Sequence, residues 1–291
     1  MYRCQRQAAR ACLRALVCTE PEGMGTNTRQ DISRNEVINL LIVSKKHHGI
    51  NVIDCWYAEH ALRQNGIIRY QEAKKPIGKQ VAEFRTLVSD LTEDAEQILS
   101  HFSKNCRYEV RRAQRENVSC KMISGKEITQ EEIDRFVDFF ADFWESKGIH
   151  YTEKEKCREQ IGQYADAGAF AFTKAYVDGK LLVYHTYIVG DRFVRLYQSA
   201  SQFRTDDTVS TNLIGYANRY LHYQDMLWFK EQNKERYDWG GAGMNEEVES
   251  ITKFKESFGG TPAVYYNAEE TRGILPGAYK GLTGLVGRFM K

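Results

Sequence analysis

The chain has 291 residues, of which 41 are Lys or Arg and 39 are Asp or Glu, so its formal net charge is only +2. This near balance argues against a general nucleic-acid coat protein, and we expect no DNA partner. The seven cysteines have no C-x-x-C pair and no zinc-like spacing to histidine, which is typical of a reducing cytoplasm.

The longest apolar run, residues 37–43, is far shorter than the ~20 residues that a membrane-spanning helix needs. The first eighteen residues carry four arginines and no acid, which fits a transit peptide, an ordinary basic helix or a disordered start. We predict a cytoplasmic protein.

Composition changes near Pro76, and three segments are predicted from it. They are a partly ordered or incomplete N-terminal extension (residues 1–80), a main domain (81–267) and a basic C-terminal tail (268–291). Within the tail, residues 272–291 carry Arg272, Lys280, Arg288 and Lys291 without an acid. Such a tail fits a segment that rests on an anionic membrane surface, and it also fits a plain tail.

The first elements of the main domain are a strand over residues 81–91 and a helix pair that begins at Thr92. Thr129 and Glu132 predict a capping box at the start of the next helix, which Gly148 ends. Thr152 and Glu155 predict a second box in the same way.

Three β-rich runs follow at residues 169–177, 181–189 and 193–201, joined by the turn pairs Asp178-Gly179 and Gly190-Asp191. A helix over about 208–234, a short strand, a helix over 247–258 and a last strand complete the order. This order predicts an α/β (α+β) fold whose mixed, mostly antiparallel sheet has helices on both faces. The strand after the meander must return parallel through a crossover helix.

Lys255 lies on the apolar side of its predicted helix, together with Ile251, Phe254 and Phe258. An ammonium buried without a partner costs several kcal/mol. Lys255 therefore snorkels to solvent, pairs with an acid or faces a cleft that receives a negative group.

Gly240, Gly241 and Gly243 follow the short strand, where α/β sheets usually open their binding crevice. The next helix offers free N–H groups toward an anion. Asp238, at the end of the strand, fits either a general base or a cap of this turn.

Three segments together carry a resemblance: "NCRYEVRRAQRENV" at 105–118, the double hairpin at 169–201, and "YDWGGAG" with "ITKFKESFGG" at 237–260. They resemble the C-terminal acyltransferase unit of the FemABX family (peptidoglycan interpeptide bridge type), within the GNAT superfamily. The resemblance covers about residues 81–267. It implies a GNAT-type fold that transfers an acyl or aminoacyl group to an amine or hydroxyl. It also implies that Lys255, with Phe254 beside it, lies against the reacting carbonyl, where a fixed cation stabilises an oxyanion.

Two features depart from the family pattern. FemABX enzymes typically have two GNAT-like units, and the residues before the main domain are too few for the first. The R/Q-x-x-G-x-G/A phosphate loop of coenzyme-A-binding relatives is missing from residues 202–212. The donor therefore stays open between aminoacyl-tRNA and acyl-CoA, and we expect no tightly bound cofactor.

A basic stripe begins just before the first quoted segment and repeats through it at helical spacing: Lys104, Arg107, Arg111 and Arg115, with Arg112 alongside. It fits a clamp for the phosphates of tRNA, a nucleotide-linked sugar or a diphosphate carrier, or a solvated helix face. Arg107, Arg111 and Arg112 are the substrate-binding candidates.

His222 and Tyr197 are further substrate-binding candidates, because His222 lies in an aromatic, hydrogen-bonding patch with Tyr220 and Tyr223. His185, in the second β run, is more typical of a core or surface residue than of a catalyst. No histidine has metal-like spacing, and we expect no metal.

The leading hypothesis is a FemABX-type acyltransferase that acts on a small-molecule or lipid-linked precursor of the cell envelope or of a sugar. Lys255 and Asp238 are its catalytic candidates; Gly240, Gly241 and Phe254 line its substrate site. The alternatives are an acyl-CoA-dependent N-acetyltransferase and a non-catalytic GNAT-like module that binds phosphorylated partners.

Overall fold

The computed structural model describes residues 40–202, 209–242 and 249–279. The strands are β1 (Leu41–His47), β2 (Ile50–Trp56), β3 (Gly66–Ala73), β4 (Val81–Asp90), β5 (Ser119–Ser124), β6 (Phe170–Val177), β7 (Lys180–Val189), β8 (Phe193–Ser201), β9 (Arg236–Asp238) and β10 (Thr261–Arg272). The helices are α1 (Ala95–Ser100), α2 (Lys104–Arg115), α3 (Gln130–Ser146), α4 (Lys154–Asp166), α5 (Thr211–Glu231) and α6 (Glu249–Glu256).

Contacts divide the chain into two compact units. The described part of the larger unit is Thr86–Ala263 with its two gaps, and that of the smaller unit is residues 40–85 and 264–279. The domain boundaries predicted after residues 80 and 267 stay a prediction.

The sheet of the larger unit has the strand order β4-β9-β8-β7-β6-β5. Neighbouring strands of this sheet are antiparallel, except for β8 and β9, which run parallel. The crossover helix α5 connects these two strands along the chain. The φ angles of Asp178 and Gly179 are +49° and +79°. Both residues are thus in the left-handed region that a type I′ hairpin requires. The predicted meander and its parallel return are confirmed.

Helices cover both faces of this sheet, as β7 illustrates. Tyr184 faces α3, where its ring centroid is 5.2 Å from that of Phe136. Tyr187 points the opposite way and lies 5.0 Å from the ring of Phe229 on α5. Because side chains alternate along a strand, the two faces have separate apolar cores. The predicted α+β fold class is confirmed.

The predicted capping boxes form only in part. Thr129 caps α3 by accepting a hydrogen bond from the Glu132 N–H at 3.3 Å. The Glu132 side chain does not reach back, because its Oε1 accepts hydrogen bonds from Lys174 and Tyr184 in the core. The second box is wrong: α4 begins at Lys154 after Glu153, without a side-chain cap.

Within the smaller unit the strand order is β1-β2-β3-β10. β1 and β2 form an antiparallel hairpin, β3 runs parallel to β2, and β10 pairs antiparallel with β3. Its core is formed by the buried residues Ile53, Cys55, Ala58, Leu62, Ile68, Tyr70, Ala73 and Ile77. β1, β2 and β3 were not predicted individually from the sequence, whereas β10 corresponds to the predicted last strand.

Across the described ranges, no helix has both the length and the apolar character that a membrane span requires.

Candidate active site

The parallel strands β8 and β9 separate soon after they meet. Their pairing covers only Phe193–Arg195 on β8 and Arg236–Asp238 on β9. β9 ends at Asp238, whereas β8 continues to Ser201 alongside β7. Residues 196–201 of β8 therefore have β7 on one side and, within the described chain, no paired residue of β9 on the other. Crevices at the carboxyl ends of such strands are the usual ligand sites of α/β sheets.

A β-bulge marks the start of this open stretch. The β7 partner of Gln198 is Thr186, and the partner of Leu196 is Tyr187, so Tyr197 is an extra residue in β8. Bulges bend a strand and are common next to active sites. The substrate-binding candidate Tyr197 is the bulged residue itself, and its ring centroid lies 6.1 Å from that of Phe170.

Backbone donors of β8 point toward the open side. The Gln202 N–H donates to the Leu182 carbonyl of the neighbouring β7 strand at 3.0 Å. Successive N–H groups of a strand alternate between its two sides. The N–H groups of Ser201 and Ser199 are therefore directed away from β7, into the crevice.

A cavity of about 270 Å³ lies at this opening. Its described lining consists of Phe143, Ser146 and Lys147 from the end of α3, Ser199, Ala200 and Ser201 from β8, and Asn218 from α5. The helices α3 and α5 pack on opposite faces of the sheet. Both reach the same cavity because β9 has already ended there.

A buried hydrogen-bond network lies behind the cavity. The His185 ring bridges two partners, with Nε2 2.8 Å from Asn218 Oδ1 and Nδ1 2.8 Å from Asp225 Oδ2. The Tyr187 hydroxyl donates to the same carboxylate oxygen at 2.5 Å. His185 and Asp225 are both fully buried. Asn218, which lines the cavity, is thus held by an inner histidine–aspartate pair.

The network continues to His222. The hydroxyl of Tyr237 lies 2.8 Å from the Tyr187 hydroxyl and 2.8 Å from His222 Nδ1. Burial, followed by the charge of Asp225, raises the pKa values of Tyr187 and Tyr237 well above the usual range. Burial, followed by the nearby cationic groups, lowers the pKa of His222 well below its usual range. The two phenols and His222 are therefore neutral at neutral pH.

His185, His222 and Asp225 also form the one group of metal-ligand type among the described residues, with ligand atoms within 4.8 Å of one another. The two imidazole rings are stacked, however, with centroids 4.0 Å apart and an interplanar angle of 24°. Ring lone pairs lie in the ring plane, so those of stacked rings run side by side and do not converge on one ion. We interpret the group as a hydrogen-bond network.

Lys255 is buried, with 8% of its surface exposed. Its ammonium donates to the carbonyl oxygens of Trp239, Gly240 and Gly241 at 2.7, 3.1 and 2.5 Å. Lys255 therefore binds the glycine turn that follows β9. These three acceptors are neutral backbone carbonyl groups.

Asp238 supports the same turn from its other side. Its Oδ1 accepts hydrogen bonds from the Thr86 hydroxyl at 2.7 Å and from the Gly240 N–H at 2.9 Å. The Gly241 N–H donates to Thr86 Oγ1 at 3.3 Å. Asp238 was considered either a general base or a cap of this turn, and these contacts are those of a cap.

Gly240 has a φ of +64°, and a Cβ built on it would lie 2.2 Å from the Leu196 carbonyl oxygen. The turn thus packs directly against the start of the open stretch of β8. Gly241 also has a positive φ, of +90°. Gly243 lies outside the described residues.

Phe254 packs between cationic and aromatic neighbours. Its ring lies 5.7 Å from that of His222 and 4.8 Å from the Arg219 guanidinium carbon. The structure thus brings Phe254, His222 and Lys255 together. Ile251, expected on the same buried side of the helix, is 51% exposed, so that part of the prediction is wrong.

The arginine candidates lie on α2 and are engaged locally. Arg107 Nη1 donates to the carbonyls of Ser100 and Phe102, and Arg112 forms an ion pair with Glu116 at 2.6 Å. Arg111 is exposed. Their role as a phosphate clamp stays a prediction.

Sequence reasoning missed the inner network. Asn218, His222 and Asp225 follow one another at spacings of four and three residues, which places three polar side chains on one face of α5. That face is otherwise apolar, with Ile214, Leu221 and Met226 buried in it. Polar residues at the core positions of a helix were the available indication.

No protein-family model and no curated protein sequence matches the chain. Solved structures do match. FemX superposes with a TM-score of 0.56 at 10% identity, over 81% of this chain and 86% of that chain. The C-terminal (DUF2156) domain of a putative lysylphosphatidylglycerol synthetase from Agrobacterium fabrum gives 0.46 at 11% identity, over 79% and 81%. L-PGS from Bacillus licheniformis gives 0.47 at 12% identity, over 86% of both chains.

The superposition on FemX defines the fold. The chain has a FemABX-like fold of the GNAT type, as the sequence resemblance implied. At 10% identity this likeness describes the fold alone.

Proposed function

We propose that the protein is a FemABX-type acyltransferase that moves an aminoacyl or acyl group to an amine or hydroxyl of a cell-envelope or sugar precursor. The observation that carries this proposal is the crevice in which the open stretch of β8 faces a glycine turn held by a buried lysine. The FemX-like fold supports it, because transfer enzymes use this fold.

In this mechanism the donor carbonyl lies in the crevice beside β8. The N–H groups of Ser199 and Ser201 are directed there and would donate to the oxyanion that forms when the acceptor attacks. Donors already held in place stabilise such an anion without reorganisation. Holding acceptor and donor together supplies the rest of the rate enhancement, and this direct transfer involves no metal step.

Lys255 has two tasks in this proposal. Its hydrogen bonds fix the shape of the glycine turn, and its charge lowers the energy of the nearby oxyanion. The second task requires only that the electrostatic field of the ammonium reach the oxyanion, without a direct hydrogen bond between them. Asp238 holds the turn from the other side and is a positioning residue here, while its role as general base remains an untested prediction.

Replacing Lys255 by Met tests the catalytic task. The change leaves three carbonyl oxygens without their donor, so we expect a lower melting temperature as well as a loss of turnover of about 100-fold. Lys255→Arg, which keeps the charge, should retain more activity than Lys255→Met. Transfer from labelled aminoacyl-tRNA or acyl-CoA to an extract of envelope and sugar precursors is measured per folded molecule.

Lys253 offers a matched control on the same helix, because it is 70% exposed and paired with Glu249. Lys253→Met should leave both turnover and melting temperature nearly unchanged. Equal turnover per folded molecule in wild type and Lys255→Met would remove Lys255 from the mechanism. Absence of transfer from both donors would contradict the proposed function itself.

The donor is aminoacyl-tRNA or acyl-CoA, and stabilisation against heat by one of them would identify it, since a ligand that binds only the folded state raises the melting temperature. The acceptor is a small molecule or a lipid-linked precursor reached from the cytoplasm. Ile274 and Leu275, which follow Arg272, are 90% and 76% exposed, and these side chains support contact with a membrane surface.

A further inference from the structure

The cavity beside β8 is lined by groups that donate hydrogen bonds. Ser199 and Ser201 each bring a hydroxyl and Asn218 brings an amide, whereas the Ser146 hydroxyl donates to the Phe143 carbonyl at 2.8 Å. Its volume of about 270 Å³ holds a group of several heavy atoms, since a water molecule occupies about 30 Å³ in the liquid. The cavity is therefore suited to a small polar part of a substrate.

The inner network determines which end of the Asn218 amide faces the cavity. A buried carboxylate needs donors, and Asp225 Oδ2 receives them from Tyr187 and from His185 Nδ1. On the other side of the same ring, Nε2 of His185 lies 2.8 Å from Asn218 Oδ1. The amide oxygen is thus engaged inward, and the NH₂ group is available to the cavity.

The charge at the cavity wall is positive. Lys147 lines the cavity, and its ammonium lies 3.9 Å from the ring centroid of Phe143, which lines it too. Among the described lining residues Lys147 has the only charged side chain, and none is acidic. A wall with a cation, hydroxyls and an amide NH₂ complements a group that accepts hydrogen bonds and carries negative charge.

We propose that this cavity binds a carboxylate. The substrate of the proposed transfer would then carry a carboxylate near its reacting group, as an amino acid, a peptide end or a dicarboxylic acyl group does. The inference rests on the proposed function only in calling the ligand a substrate, because carboxylate binding is measurable without any transfer.

Propionate and propionamide form a matched pair of probes, since they have nearly the same shape and differ in charge. Each is titrated into the ¹⁵N-labelled full chain, and the backbone amide signals of Ser199 and Ser201 and the side-chain NH₂ signal of Asn218 are followed. We expect propionate to shift these signals at concentrations where propionamide does not. Equal effects of both probes, or no effect of propionate up to high millimolar concentrations, would overturn the proposal.

Variants connect the effect to the cavity. Lys147→Met should weaken propionate binding about tenfold, which corresponds to about 1.4 kcal/mol. Asn218→Asp, which replaces a donor by a negative charge, should abolish it. Lys126→Met, at an exposed position in the short 3-10 helix Gly125–Glu127, which contributes no residue to the cavity lining, should bind as wild type does. Wild-type affinity in a folded Lys147→Met protein would refute the assignment.

Two further probes distinguish the source of the carboxylate. L-Alanine carries it beside an amine, as an acceptor does, and monomethyl succinate carries it on an ester, as an acyl group does. Binding of either supports the proposal, and the tighter ligand assigns the carboxylate to acceptor or acyl group. Carboxylate binding without any transfer would refute the proposed function and leave this inference intact. Transfer without carboxylate binding would refute this inference and leave the proposed function intact.

Discussion

His222 is an imidazole enclosed by aromatic rings, with 1% of its surface exposed. The ring centroids of Trp239 and Phe258 lie 4.9 and 5.4 Å from its own. Burial lowers its pKa first, and the charges of His185, Lys255 and Arg219 lower it further. Protonating His222 in the folded protein is therefore unfavourable, and this has a consequence for the pH dependence of stability.

The free energy of unfolding should fall as the pH drops below about 6.5, the usual pKa of histidine in an unfolded chain. There the unfolded state binds a proton that the folded state does not, so each further pH unit costs up to about 1.4 kcal/mol. The loss continues down to the lowered folded-state pKa and is absent above about pH 7. Chemical denaturation between pH 7.5 and 5 measures it.

His222→Gln should flatten this slope, whatever its effect on stability at pH 7.5. His150, whose side chain is 79% exposed, gives the matched control, and His150→Gln should keep the wild-type slope. If His222→Gln and wild type lost stability in parallel, the neutral state assigned to His222 would be incorrect.

The sequence indicated that Lys255 is unusual, because a lysine on an apolar helix face needs an explanation. Its three carbonyl partners were beyond reach, since they depend on how the turn after β9 folds back. His185 was expected to be a core or a surface residue, and it is fully buried. Its pairing with Asp225 joins residues 40 positions apart. Such long-range pairs leave no periodic trace in a sequence.

The glycine turn after β9 is a short element with two separate demands on Gly240. Its φ of +64° favours glycine, and a Cβ there would lie 2.2 Å from the Leu196 carbonyl oxygen. Gly179, in the β6–β7 hairpin, has a φ of +79° but nothing within 4 Å of an added Cβ. The pair therefore separates backbone strain from steric overlap.

Gly179→Ala should cost about 1–2 kcal/mol of unfolding free energy, the cost of a left-handed alanine. Gly240→Ala should cost clearly more, because backbone must move to relieve the overlap with the crevice-forming strand. It should also reduce transfer activity, whereas Gly179→Ala should not. Urea denaturation and the transfer assay give the two readouts, and equal losses for both variants would mean that the turn can relax without cost.

The elements that local rules describe were predicted well. Asp178-Gly179 specifies its hairpin through the backbone angles alone, and the apolar repeat of α3 places Phe136 and Phe140 in the core. The capping boxes held less well, because a side chain such as Glu132 can find a stronger partner in the core than at its own helix end. Local rules cannot weigh such competition.

The smaller unit explains why the chain before residue 80 gave no clear prediction. Its sheet combines β1, β2 and β3 with β10, which lies almost 200 residues later; Tyr70 and Glu270, for example, are hydrogen-bonded at a separation of 200 residues. A prediction made from the residues before position 80 therefore has three strands of the sheet and lacks the fourth. The core that they share becomes visible only when both segments are placed together.

Ending the chain after residue 263 should therefore unfold the smaller unit. The truncation removes the β10 residues that pair with β3, together with Glu270, which accepts from the Tyr70 hydroxyl, and Asn267, which accepts from the Glu72 N–H. The two side-chain hydrogen bonds alone contribute about 2 kcal/mol. Amide groups of β2 and β3 should lose their protection from hydrogen exchange, and those of β7 should keep it, since local units open separately.

Ending the chain after Tyr279 is the control and should preserve the protection of all three strands. Protection of β3 that survives the shorter truncation would show that β1, β2 and β3 fold without β10.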